Sequence, residues 1–487
     1  MMIKTWDEIA PSEGILETTG DPATKVAGIA FDSRKVLPGY LFVAQRGTHS
    51  DGHQYISLAI EKGASVIVCE EFPEEIKKDI LYVKAQNTSE TLGHLASAWY
   101  GFPSRKLRVT GVTGTNGKTS IATLLYHLFT HLGYKTGLIS TISTIVGESS
   151  ETSTHTTPDA LRIQELFSRM VDEGCEYCFM EVSSHAVAQH RITGIMFSGG
   201  IFTNLTHDHL DYHKTFQEYL KAKKGFFDGL PGDAFAIINI DDRNGKIMVQ
   251  NCKARQISFS TRTMADYRCK VLESHFDGML LNLDGQEVWT HFVGKFNASN
   301  LLAVYSTALQ LGQKKEEILP VISNLTPVAG RFETVRSLDG KMAIVDYAHT
   351  PDALKNVLQA ISEIRSGNEK VITVVGAGGD RDRTKRPEMA REALNGSDLV
   401  ILTSDNPRTE DPEAIIREME AGIDARDRKK AMSVTNRREA IKTALNLAMP
   451  GDIILVAGKG HENYQEINGV KHHFDDKEVI CEYLGIE

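Results

Sequence analysis

The chain has 487 residues, of which 41% are hydrophobic and 24% are charged, and its formal net charge is −10. This composition is typical of a soluble globular protein of two to four domains, and no run of about 18 apolar residues predicts membrane insertion. The negative charge argues against bulk nucleic-acid binding, which depends on cationic side chains, but it does not exclude local phosphate sites.

The opening residues carry Lys4, Asp7 and Glu8 with no apolar run behind them, so no secretory signal is expected. The six cysteines are scattered, as in a reducing compartment. Cys175 and Cys178 form a CxxC pair without a second pair nearby. A structural zinc site needs four ligands, so we expect these two to be core cysteines.

Three regions follow one another along the chain. Residues 1–87 contain short strands at 41–44 and 65–69 and a helix at 55–62 that ends before Gly63, which predicts a small α/β domain. Residues 88–332 begin with a helix near 92–100 and a strand at 107–112. Residues 333–487 hold apolar strands at 342–345, 371–375, 399–403 and 453–457 with helical segments between them. That alternation predicts a doubly wound sheet, whose ligands lie at the carboxyl ends of the strands.

A glycine-rich loop follows the strand at 107–112. It reads Gly111-Val112-Thr113-Gly114-Thr115-Asn116-Gly117-Lys118-Thr119 and leads into a helix with one apolar face. In a phosphate-binding loop, backbone amides converge on phosphate oxygens, a lysine neutralises the outer phosphates and a threonine hydroxyl reaches Mg²⁺. The strict pattern has glycine where Val112 stands, but the strand, loop and helix together favour a nucleotide site over a chance glycine turn.

Residues 113–119, TGTNGKT, resemble the ATP loop of the Mur ligase family. Further motifs of that family follow in order: Glu181-Val182-Ser183-Ser184-His185, Thr203-Asn204 with Asp208-His209-Leu210-Asp211, Gly294 with Phe296-Asn297 and Asn300, Gly330-Arg331-Phe332-Glu333, and Asp346-Tyr347-Ala348-His349-Thr350-Pro351. The resemblance spans nearly the whole chain. It implies a three-domain α/β fold with a central P-loop mononucleotide-binding domain and a C-terminal doubly wound, Rossmann-like domain.

The resemblance also implies an activity, which is ATP-dependent, ADP-forming amide ligation through an acyl phosphate in peptidoglycan precursor synthesis. A monomer in the bacterial cytoplasm is expected. The implied ATP site consists of Gly114, Thr115, Asn116, Gly117, Lys118, Thr119, Asn297, Arg331, Asp346 and His349. Arg331, Asp346 and His349 lie where the central and C-terminal regions join, and closure there would shield the acyl phosphate from water.

Glu181 and His209 each follow an apolar strand, at 177–180 and 200–203. If those strands run parallel to the P-loop strand, their carboxyl ends meet in one crevice. From the residues alone, a surface glutamate and a capping histidine are the simpler interpretation. The resemblance implies instead that Thr119, Glu181, His209 and Lys223 bind Mg²⁺, and that Lys118, Glu181, His209 and Lys223 are catalytic.

The resemblance further implies that Lys223 is carbamylated to N6-carboxylysine. Reaction with CO₂ needs the neutral amine, which burial and neighbouring cations favour. The product is an anion on a long arm that can bind Mg²⁺. We expect the adjacent Lys221 and Lys224 to be ordinary solvated residues of a helix face.

Two segments of the first domain match the family's contacts to the uridine nucleotide, and the implied residues are Phe31, Ser33, Thr48, His49 and Ser50. Turns built from Asp, Ser and Gly remain an open alternative for both segments. The central domain is implied to bind the muramoyl-dipeptide through Thr156, Thr157, Ser183, Gln189 and Arg191. The guanidinium of Arg191 suits an acidic substrate.

Three loops follow strands of the C-terminal sheet, at 378–381, 405–408 and 458–462, and we expect them to converge. Asp405-Asn406-Pro407-Arg408 resembles the signature of the family members that add diaminopimelate. The implied amino-acid site consists of Arg381, Asp405, Asn406, Pro407, Arg408, Gly458 and Glu462, with the arginines holding carboxylates and Glu462 an ammonium group. The alternative is a set of turns with surface ion pairs.

The implied reaction joins meso-2,6-diaminopimelate to the D-glutamate of UDP-N-acetylmuramoyl-L-alanyl-D-glutamate. A family member that adds L-lysine is the first alternative, but lysine lacks the distal carboxylate and would leave Arg408 unpaired. A folate polyglutamate ligase is the second, and the separate N-terminal region and the loop at 405–408 argue against it. A P-loop regulatory ATPase is the third.

Overall fold

The structure is a computed structural model, and it describes residues 3–47, 50–153, 155–208 and 210–486. The strands of the first region are β1 (Lys4–Thr5), β2 (Ile15–Thr19), β3 (Lys25–Val26), β4 (Gly28–Ala30), β5 (Tyr40–Val43), β6 (Val66–Cys69) and β7 (Leu81–Ala85). Its helices are α1 (Trp6–Ile9) and α2 (Ile56–Glu61), with 3₁₀ turns at Ser33–Lys35 and Gly52–Tyr55, and α3 (Thr88–Trp99) follows directly after the predicted boundary.

Strands β4 to β7 are parallel neighbours in the order β7-β6-β5-β4, and β2 pairs antiparallel with β7. Strand β6 is apolar and wholly buried, as expected of a parallel strand covered on both faces. Helix α3 starts at an Asn87 cap and packs Leu92 and Leu95 against Leu41 and Val66 of this sheet. The boundary at residue 88 stays a prediction.

The central region contains the P-loop strand. Its strands are β8 (Arg108–Thr113), β9 (Thr136–Ile139), β10 (Ser143–Val146), β11 (Ser149–Thr152), β12 (Tyr177–Glu181), β13 (Phe197–Phe202), β14 (Phe235–Asn239), β15 (Arg255–Ser260), β16 (Tyr267–His275), β17 (Gly278–Leu283) and β18 (Gln286–Thr290). Its helices are α4 (Lys118–His131), α5 (Ala160–Asp172), α6 (Ser184–Ala188), α7 (Leu210–His213), α8 (Phe216–Asp228), α9 (Gly245–Met248), α10 (Lys295–Gln310) and α11 (Lys315–Asn324).

These central strands form one mixed sheet in the order β11-β10-β9-β12-β8-β13-β14-β15-β16-β17-β18. Both β12 and β13 run parallel to β8 and flank it, which confirms that three carboxyl ends meet at one edge. The apolar face of α4 packs on the sheet through Ile121, Leu125 and Leu128, as its helical spacing predicts. Cys175 and Cys178 are buried core residues, as expected.

The C-terminal region holds β19 (Glu333–Arg336), β20 (Met342–Asp346), β21 (Val371–Ala377), β22 (Leu399–Ser404), β23 (Ala431–Ser433), β24 (Ile453–Ala457), β25 (Tyr464–Ile467) and β26 (Val470–His473). Its helices are α12 (Pro351–Ile364), α13 (Lys385–Gly396), α14 (Pro412–Glu420), α15 (Arg437–Leu447) and α16 (Asp476–Leu484). The sheet order is β19-β20-β24-β21-β22-β23, parallel except for β19. All four predicted apolar strands are present in a doubly wound sheet. Among the described residues, no helix combines the length and the apolar character that crossing a membrane requires.

Candidate active site between the central and C-terminal domains

The P-loop connects the end of β8 to the start of α4, as the sequence predicts. Gly114 has a φ of 148°, and a Cβ atom placed there would lie 1.9 Å from the Thr203 hydroxyl oxygen. Gly117 has a φ of 88° and caps the start of α4. Both positions therefore need glycine, because a side chain would meet a neighbouring strand or strain the backbone.

The end of β13 holds this loop in place. The Thr115 amide donates to the carbonyl oxygen of Asn204 at 2.8 Å, and the Asn116 amide donates to the Asn204 side chain at 2.9 Å. The Thr203 hydroxyl donates to the carbonyl oxygen of Asn116 at 2.6 Å. Thr203 and Asn204 were recognised only as part of a motif, and their contacts show that they shape the P-loop.

Two lysines meet beneath the loop. Lys118 donates to the carbonyl oxygens of Gly114 and Thr115, and the buried Lys223 of α8 donates to the Gly114 carbonyl oxygen at 2.6 Å. Burial lowers the pKa of Lys118, and the nearby carboxyl groups of Glu181 and Asp208 oppose this lowering. Burial and the charge of Lys118 hold the pKa of Lys223 well below its usual value. Lys223 thus meets the two conditions that favour a neutral, reactive amine.

Of the three lysines clustered on helix α8, Lys223 is the buried one. Lys221 is exposed, and Lys224 is partly buried and pairs with Asp228 at 2.6 Å. The prediction of a solvated residue is therefore confirmed for Lys221, while Lys224 is partly covered by its ion pair. The Lys223 side chain lies over the ring of Tyr219, whose hydroxyl is 3.0 Å from that of Thr115.

Glu181 ends β12 beside the P-loop. Its Oε1 accepts from the Thr141 amide at 2.7 Å, and its Oε2 is buried without a hydrogen-bond partner among the described residues. A buried carboxylate oxygen of this kind suits a divalent cation, because an ionised oxygen without a partner is costly. His209 lies outside the described residues, so its predicted role as a ligand and catalytic residue stays a prediction.

Most of the residues implied to hold the dipeptide surround Glu181. The Thr157 hydroxyl donates to the Glu181 carbonyl oxygen at 2.8 Å and accepts from the Ser183 amide at 3.1 Å. Arg191 donates to the Thr157 carbonyl oxygen at 2.8 Å and to the Gln189 side chain at 2.6 Å. Thr156 accepts from the Thr141 hydroxyl at 3.0 Å. All five predicted residues, Thr156, Thr157, Ser183, Gln189 and Arg191, are thus linked in one network.

The segments predicted to contact the uridine nucleotide follow two adjacent parallel strands. Phe31 and Ser33 come after β4, and Ser50 comes after β5, so the segments begin at the same edge of the sheet. Ser33 is buried in a 3₁₀ turn that Asp32 caps, whereas Ser50 is exposed. Thr48 and His49 lie outside the described residues. A turn explains the Asp32 segment equally well, so the nucleotide role stays a prediction.

A cleft with a volume of about 690 Å³ lies between the central and C-terminal sheets. Its lining includes the predicted ATP residues Asn116, Gly117, Asn297, Arg331, Asp346 and His349. Arg331 reaches the P-loop itself, because its Nη2 donates to the Thr119 hydroxyl oxygen at 3.3 Å. Buried Asp346 accepts from the backbone amides of Phe332 and Ala348 at 2.7 Å and 2.8 Å, so it anchors the linker that carries Arg331.

Further contacts cross from one domain to the other beside the P-loop. Asn116 donates to Asp352 at 3.0 Å, His207 lies 3.3 Å from Asp382, and Lys385 lies 4.0 Å from Asp208. Both Lys385 and Asp208 are buried. Neither was singled out from the sequence. Asp208 adjoins His209 within a recognised motif, which was the available signal, whereas a lysine at a helix start usually faces solvent.

The three C-terminal loops converge, as predicted. Arg408 Nη1 donates to the Gly379 carbonyl oxygen at 2.7 Å, and the side-chain Nδ2 of Asn406 donates to Glu462 Oε2 at 2.8 Å. A Cβ atom at Gly378 would lie 3.1 Å from Arg408 Nη1 and 3.7 Å from Arg381 Cγ, so both arginines flank the same glycine. Arg381 is exposed and acts electrostatically on His185 in the central domain. Arg381 therefore lies on the side of these loops that is turned toward the central domain.

The backbone of this region adds features that the sequence did not indicate. Arg408 has a φ of 51° and Asp380 a φ of 52°, which are left-handed conformations that non-glycine residues rarely adopt. Gly458 has a φ of 119°, and a Cβ atom there would lie 2.5 Å from Asp405 Oδ2. Such strain persists only where surrounding contacts enforce it, and it is common at binding sites.

Comparison with protein families matches three consecutive parts of the chain. Residues 25–100 match the Mur ligase family, catalytic domain, residues 112–308 match the Mur ligase middle domain, and residues 330–460 match the Mur ligase, glutamate ligase domain. The order of these matches along the chain follows that of the three large sheets.

Curated relatives align with this chain over nearly its whole length. A protein of Phocaeicola vulgatus described as UDP-N-acetylmuramoyl-L-alanyl-D-glutamate--2,6-diaminopimelate ligase is 58% identical over 471 residues, 97% of each chain. A protein of Clostridioides difficile with the same description is 43% identical and covers 98% of this chain and 99% of its own.

Solved structures show the same arrangement. One described as a UDP-N-acetylmuramoyl-L-alanyl-D-glutamate--2,6-diaminopimelate ligase is 32% identical, covers 99% of both chains and has a TM-score of 0.70. The MurF ligase of Thermotoga maritima, solved in complex with ADP, has a TM-score of 0.62 at 19% identity, with 94% of this chain and 97% of that chain covered. At that identity the second likeness shows the fold alone.

Proposed function

The chain belongs to the Mur ligase family, and from this premise we propose that it is an ATP-dependent, ADP-forming ligase that joins meso-2,6-diaminopimelate to the D-glutamate of UDP-N-acetylmuramoyl-L-alanyl-D-glutamate. The observation that carries the proposal is the sequence similarity, over nearly the full length, to relatives described as this ligase, among them the 58% identical protein. A cytoplasmic location and a monomeric state are part of the proposal.

The first step activates a carboxylate. An oxygen of the D-glutamate side-chain carboxylate attacks the γ-phosphorus of ATP, the bond to the β,γ-bridging oxygen breaks, and ADP leaves. The P-loop amides and the Lys118 ammonium stabilise charge on the transferring group, where the P-loop and Glu181 lie together. The dipeptide network of Thr157, Ser183 and Arg191 would hold the substrate beside it.

The second step forms the amide. The amino nitrogen of the incoming amino acid attacks the acyl carbon. The bond between that carbon and the phosphate oxygen breaks, inorganic phosphate leaves, and the nitrogen loses a proton. Arg408 and Arg381 would hold a carboxylate of diaminopimelate, and Glu462 would accept from its distal ammonium group. The contacts of Arg331 and Asn116 across the cleft would keep water away from the acyl phosphate.

The residues beside the P-loop suit Mg²⁺, as judged by the buried Glu181 oxygen that has no partner among the described residues. Glu181, the Thr119 hydroxyl, His209 and a carbamylated Lys223 would hold it. When bound, Mg²⁺ would neutralise charge on the phosphoryl oxygens.

Product analysis tests the proposal. We expect that incubation with ATP, the UDP-muramoyl-dipeptide and meso-diaminopimelate gives a UDP-linked product whose mass exceeds that of the acceptor by one diaminopimelate less one water. ADP should form in equal amount. Formation of ADP without this product would show that the chain hydrolyses ATP and does not act as this ligase.

A further inference from the structure

A buried lysine lies at the centre of the amino-acid loops. The side chain of Lys459 is fully buried, at 0% exposure. Its Nζ donates to Asn406 Oδ1 at 3.2 Å and to Glu462 Oε2 at 3.3 Å, and it lies 3.8 Å from Asp405 Oδ1. A lysine is rarely buried without acidic partners, and here those partners belong to the predicted diaminopimelate site.

The contacts of Lys459 determine how its neighbours are oriented. Asn406 Oδ1 accepts from both Lys459 and the Glu466 amide, so its Nδ2 is left to donate to Glu462 Oε2 at 2.8 Å. Glu462 Oε1 lies within 3.4 Å of the Tyr347 hydroxyl, which donates to it. Lys459 therefore adds a charged donor to Asn406 Oδ1 beside the Glu466 amide, and to Glu462 Oε2 beside Asn406 Nδ2, and so strengthens the orientation of both side chains.

The charges in this cluster are nearly, but not fully, balanced. Buried Arg437 pairs with Asp476 at 2.7 Å and also acts on Asp405 and Glu462. Among the described side chains of the cluster, the carboxyl groups of Asp405, Glu462 and Asp476 therefore face the cations of Lys459 and Arg437. One further positive charge would balance the set, and an ammonium group on the incoming amino acid would supply it.

We propose that Lys459 is a positioning residue of the amino-acid site, which orients Asn406 and Glu462 and supplies the positive charge that lets two neighbouring buried carboxylates receive one ammonium group. This inference rests on the proposed function. It predicts that Lys459 affects the use of the amino acid and leaves the use of ATP and of the UDP-linked acceptor almost unchanged.

Electrostatics give the inference a measurable signature. The groups that face Glu462 are Lys459, Asp405, Arg437, Tyr347 and Tyr464. Burial and the charge of Asp405 raise the pKa of Glu462, and Lys459 opposes that rise. Loss of the Lys459 charge should raise this pKa further, so Glu462 would bind a proton at a higher pH and stop attracting an ammonium group.

The test is the ratio of kcat/KM for meso-diaminopimelate in Lys459→Met to that in the unaltered enzyme, from about pH 5.5 to about pH 9. The ratio cancels titration of the amino acid itself. We expect a loss of about tenfold or more at the acidic end, where one unit of pKa corresponds to a factor of ten, and a smaller loss at high pH. KM for ATP and for the acceptor should change less than about twofold.

Two further variants separate charge from packing. Lys459→Arg keeps the positive charge, so its ratio of kcat/KM to that of the unaltered enzyme should not depend on pH. Lys459→Gln keeps a hydrogen-bond donor without the charge, so its ratio should still fall toward acidic pH. The ratio of Lys459→Met with Glu462→Gln to Glu462→Gln alone should also be independent of pH, because neither protein then has the Glu462 carboxyl group. Lys471→Met is the matched control, because Lys471 is exposed and its Nζ lies over the same Tyr464 ring as that of Lys459, 4.0 Å from the ring centroid.

A loss that is equal at every pH, or equal for all three substrates, would overturn the inference and make Lys459 a structural residue. If Lys459→Met does not fold, Lys459→Gln decides by the same ratio. Failure of the proposed function looks different, because the unaltered enzyme would then form no product with meso-diaminopimelate.

Discussion

Lys118 and Lys223 donate hydrogen bonds to the same acceptor, the carbonyl oxygen of Gly114, at 3.0 Å and 2.6 Å. Two ammonium groups this close repel one another, and the more deeply buried one loses its proton more readily. Burial lowers the pKa of both lysines, most strongly that of Lys223, which also lies near the charge of Lys118. We therefore propose different chemistry for the two lysines: Lys118 binds phosphate as a cation, and Lys223 is the amine that reacts with CO₂.

We expect Lys223 to carry a carbamate in the active enzyme. Lys223→Ala should lose most activity, and acetate or another small carboxylate should restore part of it by replacing the missing anion. The carbamate should be visible as a carbonyl signal of ¹³C-labelled CO₂ bound to the protein. Lys221→Ala, exposed on the same helix, should behave as the unaltered enzyme. A fully active preparation from which CO₂ has been removed would contradict the assignment.

Lys118→Ala should reduce kcat by roughly 10²–10³-fold or more, because it removes a cation from the phosphoryl-transfer transition state. The fold should persist, since Lys118 Nζ donates to the loop carbonyl oxygens of Gly114 and Thr115 and not to core residues. Circular dichroism and kcat are the measurements, with Lys106→Ala, an exposed lysine before β8, as the control. A kcat near normal would remove the P-loop from the mechanism.

Much of this architecture follows from local sequence patterns. Apolar strands such as β6, β21 and β24 lie next to glycine or polar loops, and the parallel pairing of β8, β12 and β13 then brings Lys118 and Glu181 together. The hairpin strands β16 and β17 were not predicted, because polar and apolar residues mix along them. Nor were buried Lys385 and Lys459, since Asp208, Asp405 and Asn406 lie far from them in the chain and a lysine at a helix start or in a loop normally indicates solvent.

Arg408→Ala should lose about 2–4 kcal/mol in kcat/KM for meso-diaminopimelate, on the order of tens to hundreds of fold, because a charge-assisted pair with the substrate carboxylate disappears. Activity with L-lysine should fall much less or rise slightly. Arg417→Ala, on the exposed face of α14, is the control. Equal losses for both amino acids would show that Arg408 only holds Gly379 and Glu466 in place.

Gly330→Ala should destabilise the junction of the central and C-terminal domains. Gly330 has a φ of 66°, and a Cβ atom there would lie 2.0 Å from the His461 amide nitrogen, so backbone would have to move. Gly340→Ala is a matched control, because Gly340 has a φ of 92° and its nearest neighbour would be 3.8 Å away.

The control should lose about 1–2 kcal/mol from the left-handed backbone alone, and Gly330→Ala should lose more because overpacking adds to it. Thermal unfolding measures the difference. The two melting temperatures would coincide if the close contact of Gly330 with the loop at 458–462 were unimportant.

Amino-acid-dependent ADP release tests the central claim most directly. ADP formation is measured with ATP and the UDP-muramoyl-dipeptide while meso-diaminopimelate, L-lysine, L-glutamate or no amino acid is added. We expect rapid release with meso-diaminopimelate, release at least about tenfold slower with L-lysine, and almost none with L-glutamate or without an amino acid. The reason is that Arg408 and Glu462 together match one carboxylate and one ammonium group. Equal release under all four conditions would contradict this expectation and would favour a regulatory ATPase.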